Sequence, residues 1–122
     1  MNLVTIDEAR AHLRIDGDID DAWLSSAIPA ISQAVLLWLK DEARAYQPEI
    51  DSNGDVAVDS NDEPVLMVRP IVRMATLVEL ATLYRYREGE GNTGVPQHWG
   101  HGYTLSVGAT ALLTPLRKST VV

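Results

Sequence analysis

The segment from about residue 20 to residue 46 limits the fold most, because it is a long predicted helix with an unusually wide apolar surface. The apolar positions form two stripes: Leu24, Ile28, Ile31, Val35 and Leu39 in one, and Trp23, Ala27, Ala30, Ala34 and Leu37 in the other. At a helical rotation of about 100° per residue they cover roughly 200° of the circumference, about twice what a surface helix of a monomer needs. We therefore expect one side to face the core and the other to face a second subunit. Pro29 falls on the polar side and should kink the helix.

A shorter helix is predicted before it. Thr5-Ile6-Asp7-Glu8 has the pattern of a capping box, in which the Thr5 hydroxyl and the Glu8 carboxylate each accept a backbone N–H. Gly17 should end this helix through a left-handed backbone. Asp18 or Asp20 can then cap the long second helix.

A third helix is predicted over residues 69–88, with Pro70 tolerated in its first turn. Between residues 71 and 84 only Arg73 and Glu79 are charged, so this helix should be central and buried. We expect the second and third helices to meet through one face of each. The predicted contact residues are Leu24, Ile28, Ile31, Val35, Ile71, Ala75, Val78 and Thr82. The fold class predicted is a small all-α helical bundle.

Residues 47–64 differ in character from the helices, being polar, acidic and rich in turn formers. Asn53-Gly54 indicates a tight hairpin turn with positive φ at both central positions. We expect an exposed acidic loop or short β-ribbon, and residues 51–63 should be dispensable for folding. The spacing of its carboxylates does not fit a calcium-binding EF-hand loop, because Val56 and Asp62 stand where Gly and Glu are needed.

The predicted organisation is a helical core over residues 1–88, a Gly-rich flexible linker over residues 89–104 and a C-terminal docking segment over residues 105–122. We find no internal repeat. The apolar tail is predicted to contact another subunit or partner rather than complete the core. The residues assigned to that contact are Leu105, Val107, Leu112, Leu113, Leu116, Arg117 and Lys118. The alternative is that Leu112 and Leu113 fold back onto the third helix.

The residue types present give no candidate for catalysis. The chain has no cysteine, which excludes disulfides, thiolate chemistry and cysteine zinc sites. His98 and His101 are far in sequence from His12, and no carboxylate nearby suggests a third metal ligand. Nucleophile-elbow and phosphate-binding glycine motifs are also missing. We therefore predict a non-enzymatic protein with no catalytic residues, no metal and no cofactor.

Charge and hydropathy argue against binding to DNA or to membranes. The formal net charge of −7 would repel duplex DNA, and the patch of Arg and Tyr over residues 84–88 is small. No signal peptide is visible at the N-terminus. The apolar stretch over residues 71–84 is interrupted by Arg73 and Glu79, so no membrane span is predicted.

Three short motifs occur in an order that resembles the head–tail connector (adaptor) proteins of tailed bacteriophages. The first covers residues 5–16 and is followed by an acidic turn and a long helix. The second is a Tyr-x-x-Arg-Glu pattern at Tyr84, Arg87 and Glu88. The third is a Leu-Leu-x-Pro-x-Arg pattern over residues 112–117. Departures from the family pattern are Tyr86 before Arg87, Pro29 in the second helix and the long acidic loop.

The resemblance implies a structural subunit of the virion neck that assembles as a dodecameric ring. Such a ring docks beneath the portal protein, extends the DNA channel and offers a surface to the next neck or tail component. DNA would pass through the lumen without specific binding, and the subunit would be found in the virion and, during assembly, in the host cytoplasm. An acidic subunit suits a channel through which DNA must slide.

Two other classes of function stay open at this point. A small helical DNA-binding regulator would use the first two helices as a helix-turn-helix, although a recognition helix that begins Asp20-Asp21 lacks the basic residues it needs. A hydrolase or metal-dependent enzyme would need its scattered histidines brought together around one cavity.

Overall fold

A computed structural model describes residues 2–86 and 105–118 of the chain. In chain order the elements are α1 (Ile6–Leu13), α2 (Asp21–Leu39), a 3-10 turn (Glu42–Ala45), β1 (Tyr46–Pro48), β2 (Leu66–Val68), α3 (Pro70–Tyr86), α4 (Val107–Leu113) and a second 3-10 turn (Thr114–Leu116). The fold is mostly helical, as predicted, but it is not all-α, because β1 and β2 form a small antiparallel sheet. The predicted linker over residues 89–104 lies outside the described residues, as do residues 119–122.

The capping box predicted for α1 is confirmed. The backbone N–H of Glu8 donates to Thr5 Oγ1 at 3.1 Å, and the N–H of Thr5 donates to Glu8 Oε1 at 2.9 Å. The predicted end of the helix at Gly17 is wrong, since the left-handed residue that closes it is Arg14, with φ of 58°. Gly17 also has a positive φ, of 81°, but it lies in the turn that follows.

The second helix is shorter than the predicted segment over residues 20–46. Lys40 takes a left-handed backbone with φ of 67° and closes α2 at Leu39. The Asp41 carboxylate then accepts the N–H of Ala43 at 3.2 Å and begins a separate 3-10 turn. The backbone after Lys40 thus bonds to the Asp41 side chain instead of continuing the α-helix.

Asp20 occupies the N-cap position of α2 without making the expected side-chain cap. Its Oδ2 instead accepts the hydroxyl of Tyr84 at 2.7 Å, which ties the start of α2 to the end of α3. The next residue, Asp21, accepts from the guanidinium of Arg10 in α1, with Nε to Oδ1 at 3.0 Å. This hydrogen bond raises the pKa of Arg10. Both carboxylates therefore join helices rather than cap one.

The two apolar stripes of α2 have different environments. The first is fully buried, with Leu24, Ile28, Ile31, Val35 and Leu39 at 3% exposure or less. The second is half-buried at Trp23, Ala27 and Ala34 and ends in Leu37, which is 69% exposed. One face is thus filled by the core, while the C-terminal end of the other lies open. Pro29 is exposed, on the polar side as predicted.

Among the described residues α2 is also long and apolar enough to cross a membrane by length and composition, where the sequence analysis predicted no such segment. The core helix of a soluble protein passes the same test, and one face of α2 is buried in this fold.

The third helix is the centre of the bundle and contacts α1, α2 and α4. Its face was predicted partly wrongly, since Ile71 is 38% exposed and Val78 and Thr82 are only half-buried. The residues that fill the core are Val72, Ala75, Thr76, Leu77, Glu79 and Leu80. Val78 faces α4 instead, with its Cγ1 3.1 Å from where a Cβ on Gly108 would stand. Because α4 packs closely against Val78, the residues of α3 that are buried differ from the predicted ones.

The tail completes the monomer core, contrary to the expectation that it would not. Leu105, Ala109 and Leu113 are buried at 7% exposure or less, and Leu112 and Leu116 are half-buried against the same cluster. The alternative, in which this segment folds back onto the third helix, is the one that the packing supports, because α4 lies along α3.

A buried carboxylate fixes the start of α4. Glu79 is fully buried, and its Oε2 accepts the backbone N–H of Ser106 at 2.7 Å. Ser106 is the N-cap of α4, and its hydroxyl accepts the N–H of Ala109 at 3.3 Å. A negative charge beside the positive end of a helix dipole is stabilising. The one acidic residue in the interior of α3 is therefore the anchor of the tail.

We expect Glu79→Leu to lower the free energy of unfolding by about 1.5–3 kcal/mol, the range for losing a hydrogen bond to a charged group. The substitution keeps most of the side-chain volume but leaves the Ser106 N–H without this acceptor. Glu79→Gln retains an acceptor oxygen and should lose less. Urea unfolding of the three proteins measures the difference, and equal midpoints would show that the anchor adds nothing.

Candidate assembly surfaces

The chain between the first 3-10 turn and α3 forms a β-structured projection, residues 46–68, which we call the acidic finger. Its base is the antiparallel ladder of β1 and β2, in which Tyr46 pairs with Val68 and Pro48 with Leu66. Beyond this base the chain makes two further isolated bridges, Ile50 with Val56 and Val58 with Pro64. The predicted β-ribbon is thus present, but as a stem with two small arms.

The stem and the two arms meet at a closed ring of backbone hydrogen bonds. Glu49 N–H donates to Val65 O at 2.8 Å, Val65 N–H donates to Ala57 O at 2.9 Å, and Ala57 N–H donates to Glu49 O at 2.8 Å. Each of the three residues uses both of its backbone groups within the ring. Three short pairings that would be marginal alone therefore support one another.

The two arms end in the same turn, built from a short repeat that the sequence analysis missed: Asp51-Ser52-Asn53 recurs as Asp59-Ser60-Asn61. In the first arm, Asp51 Oδ1 accepts the N–H of Asn53 and of Asp55 at 2.9 and 3.0 Å. In the second, Asp59 Oδ1 accepts the N–H groups two and four residues on, at 2.8 and 3.1 Å.

The left-handed position of these turns is Gly54 in the first arm, with φ of 84°, and Asp62 in the second, with φ of 61°. The prediction of positive φ at both Asn53 and Gly54 is wrong, because only Gly54 has it. The arrangement matches a type I turn followed by a left-handed residue, which closes three-residue hairpin loops. Asp tolerates that conformation better than most residues, which explains how the repeat survives without a second glycine.

The finger combines negative charge with exposed aliphatic side chains. Its charged residues are all acidic: Glu49, Asp51, Asp55, Asp59, Asp62 and Glu63. Four large apolar side chains on it are between 45% and 60% exposed: Ile50, Val56, Val58 and Leu66. At its base, burial raises the pKa of the Tyr46 phenol, with the Glu42 carboxylate adding to the effect. Several exposed aliphatic side chains on one projection make the finger a candidate contact surface.

We expect replacement of residues 51–63 by a short Gly-Ser link to leave the helical content and the melting temperature of the monomer almost unchanged. The stem pairs outside this range persist, and Tyr46 and Val68 still contact the core. Far-ultraviolet circular dichroism and thermal melting of the shortened chain test this. A large drop in melting temperature would show that the arms stabilise the helices.

Four exposed cations gather where the end of α2 meets the end of the described tail; we call Lys40, Arg44, Arg117 and Lys118 the basic rim. The Arg117 guanidinium lies 4.5 Å from the ring centroid of Trp38, and its Nε donates to Trp38 O at 3.0 Å. The Lys118 N–H donates to Leu39 O at 3.0 Å. The tail thus covers carbonyl groups at the C-terminal end of α2, where positive charge is favoured.

The other side of the same helix end bears a groove of about 330 Å³ lined by Gln33, Leu36, Leu37, Lys40 and Glu42. Its apolar centre is the open end of the second stripe of α2. Arg44 of the basic rim also donates to Leu116 O at 3.3 Å and pairs with Asp41 at 3.5 Å. Asp41 and Glu42 offset part of the positive charge at this end.

A larger cavity, of about 610 Å³, lies between the N-terminal segment, α2 and the base of the finger. Leu3, Val4, Ile28 and Met67 contribute to its wall. The N-terminal segment is held there by the Leu3 N–H, which donates to the buried hydroxyl of Ser32 at 2.9 Å. At its edge Arg73 Nε lies 3.5 Å from Glu8 Oε2.

The tail residues assigned to a subunit or portal contact divide into two groups. Leu105 and Leu113 are buried and have no free surface to offer, and Leu112 and Leu116 are half-buried. Val107, at 82% exposure, Arg117 and Lys118 are exposed, and the Arg117 guanidinium also packs on Trp38 within the same chain. The contact role of this second group stays a prediction.

No group of three or more His, Asp or Glu side chains in residues 2–86 and 105–118 is arranged to hold a metal ion. His12 lies beside Val78, Ala81, Thr82 and Arg85, and the described residues that line this pocket include no carboxylate. His98 and His101 lie outside the described residues.

A comparison with protein families matches residues 3–97 to the phage gp6-like head-tail connector protein family. The chain belongs to this connector family. No curated protein and no solved structure matches it. The matched range contains α1, α2, the acidic finger and α3. The third sequence motif, over residues 112–117, lies beyond it.

The motif residues of this connector have structural roles in the described part of the chain. Thr5 and Glu8 cap α1, and Tyr84 binds Asp20. Trp23 contacts Tyr84 edge-on at 5.4 Å between ring centroids. Arg87 and Glu88 lie outside the described residues.

Proposed function

We propose that this connector is a structural ring subunit of the phage neck, which docks beneath the portal, extends the DNA channel and joins the head to the tail components. The family match carries the coarser conclusion, that the chain is a structural component of the virion at the head–tail junction. The finer statements, a dodecameric ring and portal docking, rest on the resemblance and on surfaces suited to assembly.

Several features of the monomer support assembly. The groove on α2 and the aliphatic side chains of the finger leave apolar surface uncovered in the single chain. Val107 at the start of α4, and Arg117 and Lys118 in the basic rim, are further exposed side chains. A subunit with two distinct contact surfaces can join unlike neighbours and close a ring by repeated head-to-tail contact.

The alternative of a DNA-binding regulator gains no support from the structure. The start of α2, which would be the recognition helix, carries Asp20 and Asp21, and the nearby Arg10 is occupied by Asp21. A recognition helix needs polar and basic side chains there to reach base edges and phosphates.

The deciding experiment is a mass measurement in solution by native mass spectrometry or light scattering, alone and with purified portal protein. The proposal expects a complex of portal with a ring of twelve connector copies, whether or not the connector forms a ring alone. A connector that stays monomeric and unbound in the presence of portal would contradict the proposal.

A further inference from the structure

The groove at the C-terminal end of α2 and the acidic finger are unlike surfaces of the same chain, and each is open in the monomer. Leu37 in the groove is 69% exposed, and Val58 on the finger is 53% exposed. The finger of a chain therefore does not fill that chain's own groove. We propose that the finger of one copy docks its aliphatic side chains in the Leu36–Leu37 groove of the next copy. This inference rests on the proposed function, because it names the contact that would build the ring.

The two surfaces match in apolar chemistry. The groove has an apolar centre, Leu36 and Leu37, bounded by the polar Gln33, Lys40 and Glu42. The finger presents Ile50, Val56 and Val58 on two short arms. Where the arms meet the stem, three backbone hydrogen bonds hold the chain in place. An apolar centre within a polar rim is the usual anatomy of a protein interface. A stiff finger also loses little conformational entropy on docking.

The two surfaces also match in charge. Residues 46–68 contain six carboxylates and no Lys or Arg: Glu49, Asp51, Asp55, Asp59, Asp62 and Glu63. Lys40 lines the groove, and the basic rim gathers at the same end of α2, opposed by Asp41 and Glu42. Opposite potentials on two surfaces select a partner and its orientation. Among the possible occupants of the groove, a second copy of this chain supplies both the aliphatic side chains and the negative charge.

The symmetry of such a contact distinguishes a ring from a dimer. When the finger of one copy binds the groove of the next, one finger and one groove stay free at the two ends of the series after each copy is added. The series ends only when the last finger reaches the first groove. Finger-to-groove docking thus predicts a head-to-tail series of contacts, which a self-complementary dimer contact does not produce and which becomes a ring where the rotation between neighbours closes the circle.

Cysteine cross-linking tests the contact directly, since the natural chain contains no cysteine. Chains carrying both Leu37→Cys and Val58→Cys, assembled alone or on purified portal, should give a ladder of disulfide-linked multimers under mild oxidation. Chains with either substitution alone should give no ladder. A matched control pairs Val58→Cys with Ile19→Cys, because Ile19 is 85% exposed but lies in the turn between α1 and α2.

A second measurement avoids dependence on disulfide geometry. Leu37→Asp changes an exposed side chain, so helical content should be retained while the mass in solution falls from ring to monomer. Lys40→Glu should weaken assembly most at low salt, where surface charges are least screened. Adding Asp55→Lys to Lys40→Glu should restore part of the assembly, because Asp55 is an exposed acidic residue of the finger, whereas the Asp51 and Asp59 carboxylates hold the two turns.

The outcomes separate this inference from the proposed function. An assembled ring that gives no ladder, and that Leu37→Asp leaves intact, would overturn finger-to-groove docking and leave the ring itself standing. A chain with residues 51–63 replaced that still forms rings but no longer binds portal would assign the finger to the portal instead. Failure to assemble under any condition would contradict both proposals.

Discussion

Truncation of the chain after Tyr103 is expected to abolish cooperative folding of the isolated subunit. The deletion removes Leu105, Ala109 and Leu113 from the core, and it leaves the buried carboxylate of Glu79 without the Ser106 N–H. A single buried Leu-to-Ala change costs about 2–5 kcal/mol, and small domains are stable by only about 5–15 kcal/mol in total. The loss of α4 should therefore exceed the stability available. Circular dichroism and calorimetric melting of the truncated chain measure the effect.

Point variants within α4 provide the matched control. Leu113→Ala should cost about 2–5 kcal/mol, because Leu113 is fully buried. Val107→Ala in the same helix should change stability by about 0.5 kcal/mol or less, because Val107 is 82% exposed. A truncated chain that melts like the parent would mean that α4 is an accessory segment. It would also return the tail to the purely intersubunit role predicted from the sequence.

The sequence placed the tail outside the core because its anchor cannot be recognised from periodicity. Glu79 reads as an interruption of an apolar helix, whereas in the fold it is the residue that α4 needs at its N-terminus. Gly108 likewise reads as a weak point in a short helix, yet it lets α4 approach Val78. Both signals acquire meaning only when two segments far apart in the chain are brought together.

Local signals, by contrast, were sufficient for several features. The capping box of α1 needs only Thr5 and Glu8, which are three residues apart, and the sequence predicted it correctly. The core stripe of α2 follows from its period, which is why Leu24 through Leu39 were assigned to the core correctly. The end of α2 was missed because Lys40 closes it in a left-handed conformation, and lysine is not a residue from which that conformation is predicted.

The acidic finger could be predicted from the sequence only in part. Its turn chemistry is local, and Asn53-Gly54 correctly marked a turn in an exposed ribbon. The arrangement of one stem and two arms depends on backbone hydrogen bonds among Glu49, Ala57 and Val65. Because these side chains are of three different types, the sequence does not predict that arrangement. The sequence signal for the two arms is the eight-residue spacing between Asp51 and Asp59. Each of these residues begins the same kind of turn at the end of its own arm.

Shortening an apolar side chain to alanine should have a large effect on one face of α2 and almost none on the other. Ile31→Ala is expected to lower the free energy of unfolding by about 2–5 kcal/mol, because Ile31 is 2% exposed and the shortened side chain leaves a cavity in the core. Leu37→Ala, six residues further along, should alter it by about 0.5 kcal/mol or less, because that side chain is 69% exposed.

Urea unfolding of both variants and the parent, at a concentration where the chain is monomeric, separates the two faces. If Ile31→Ala unfolds at the midpoint of the parent, the core assignment of α2 is wrong. If Leu37→Ala is as destabilising as Ile31→Ala, the open side of α2 belongs to the monomer, and the wide apolar arc no longer argues for a second subunit. The expected contrast would instead mean that this helix holds the subunit together with one face and keeps apolar surface for a neighbour on the other.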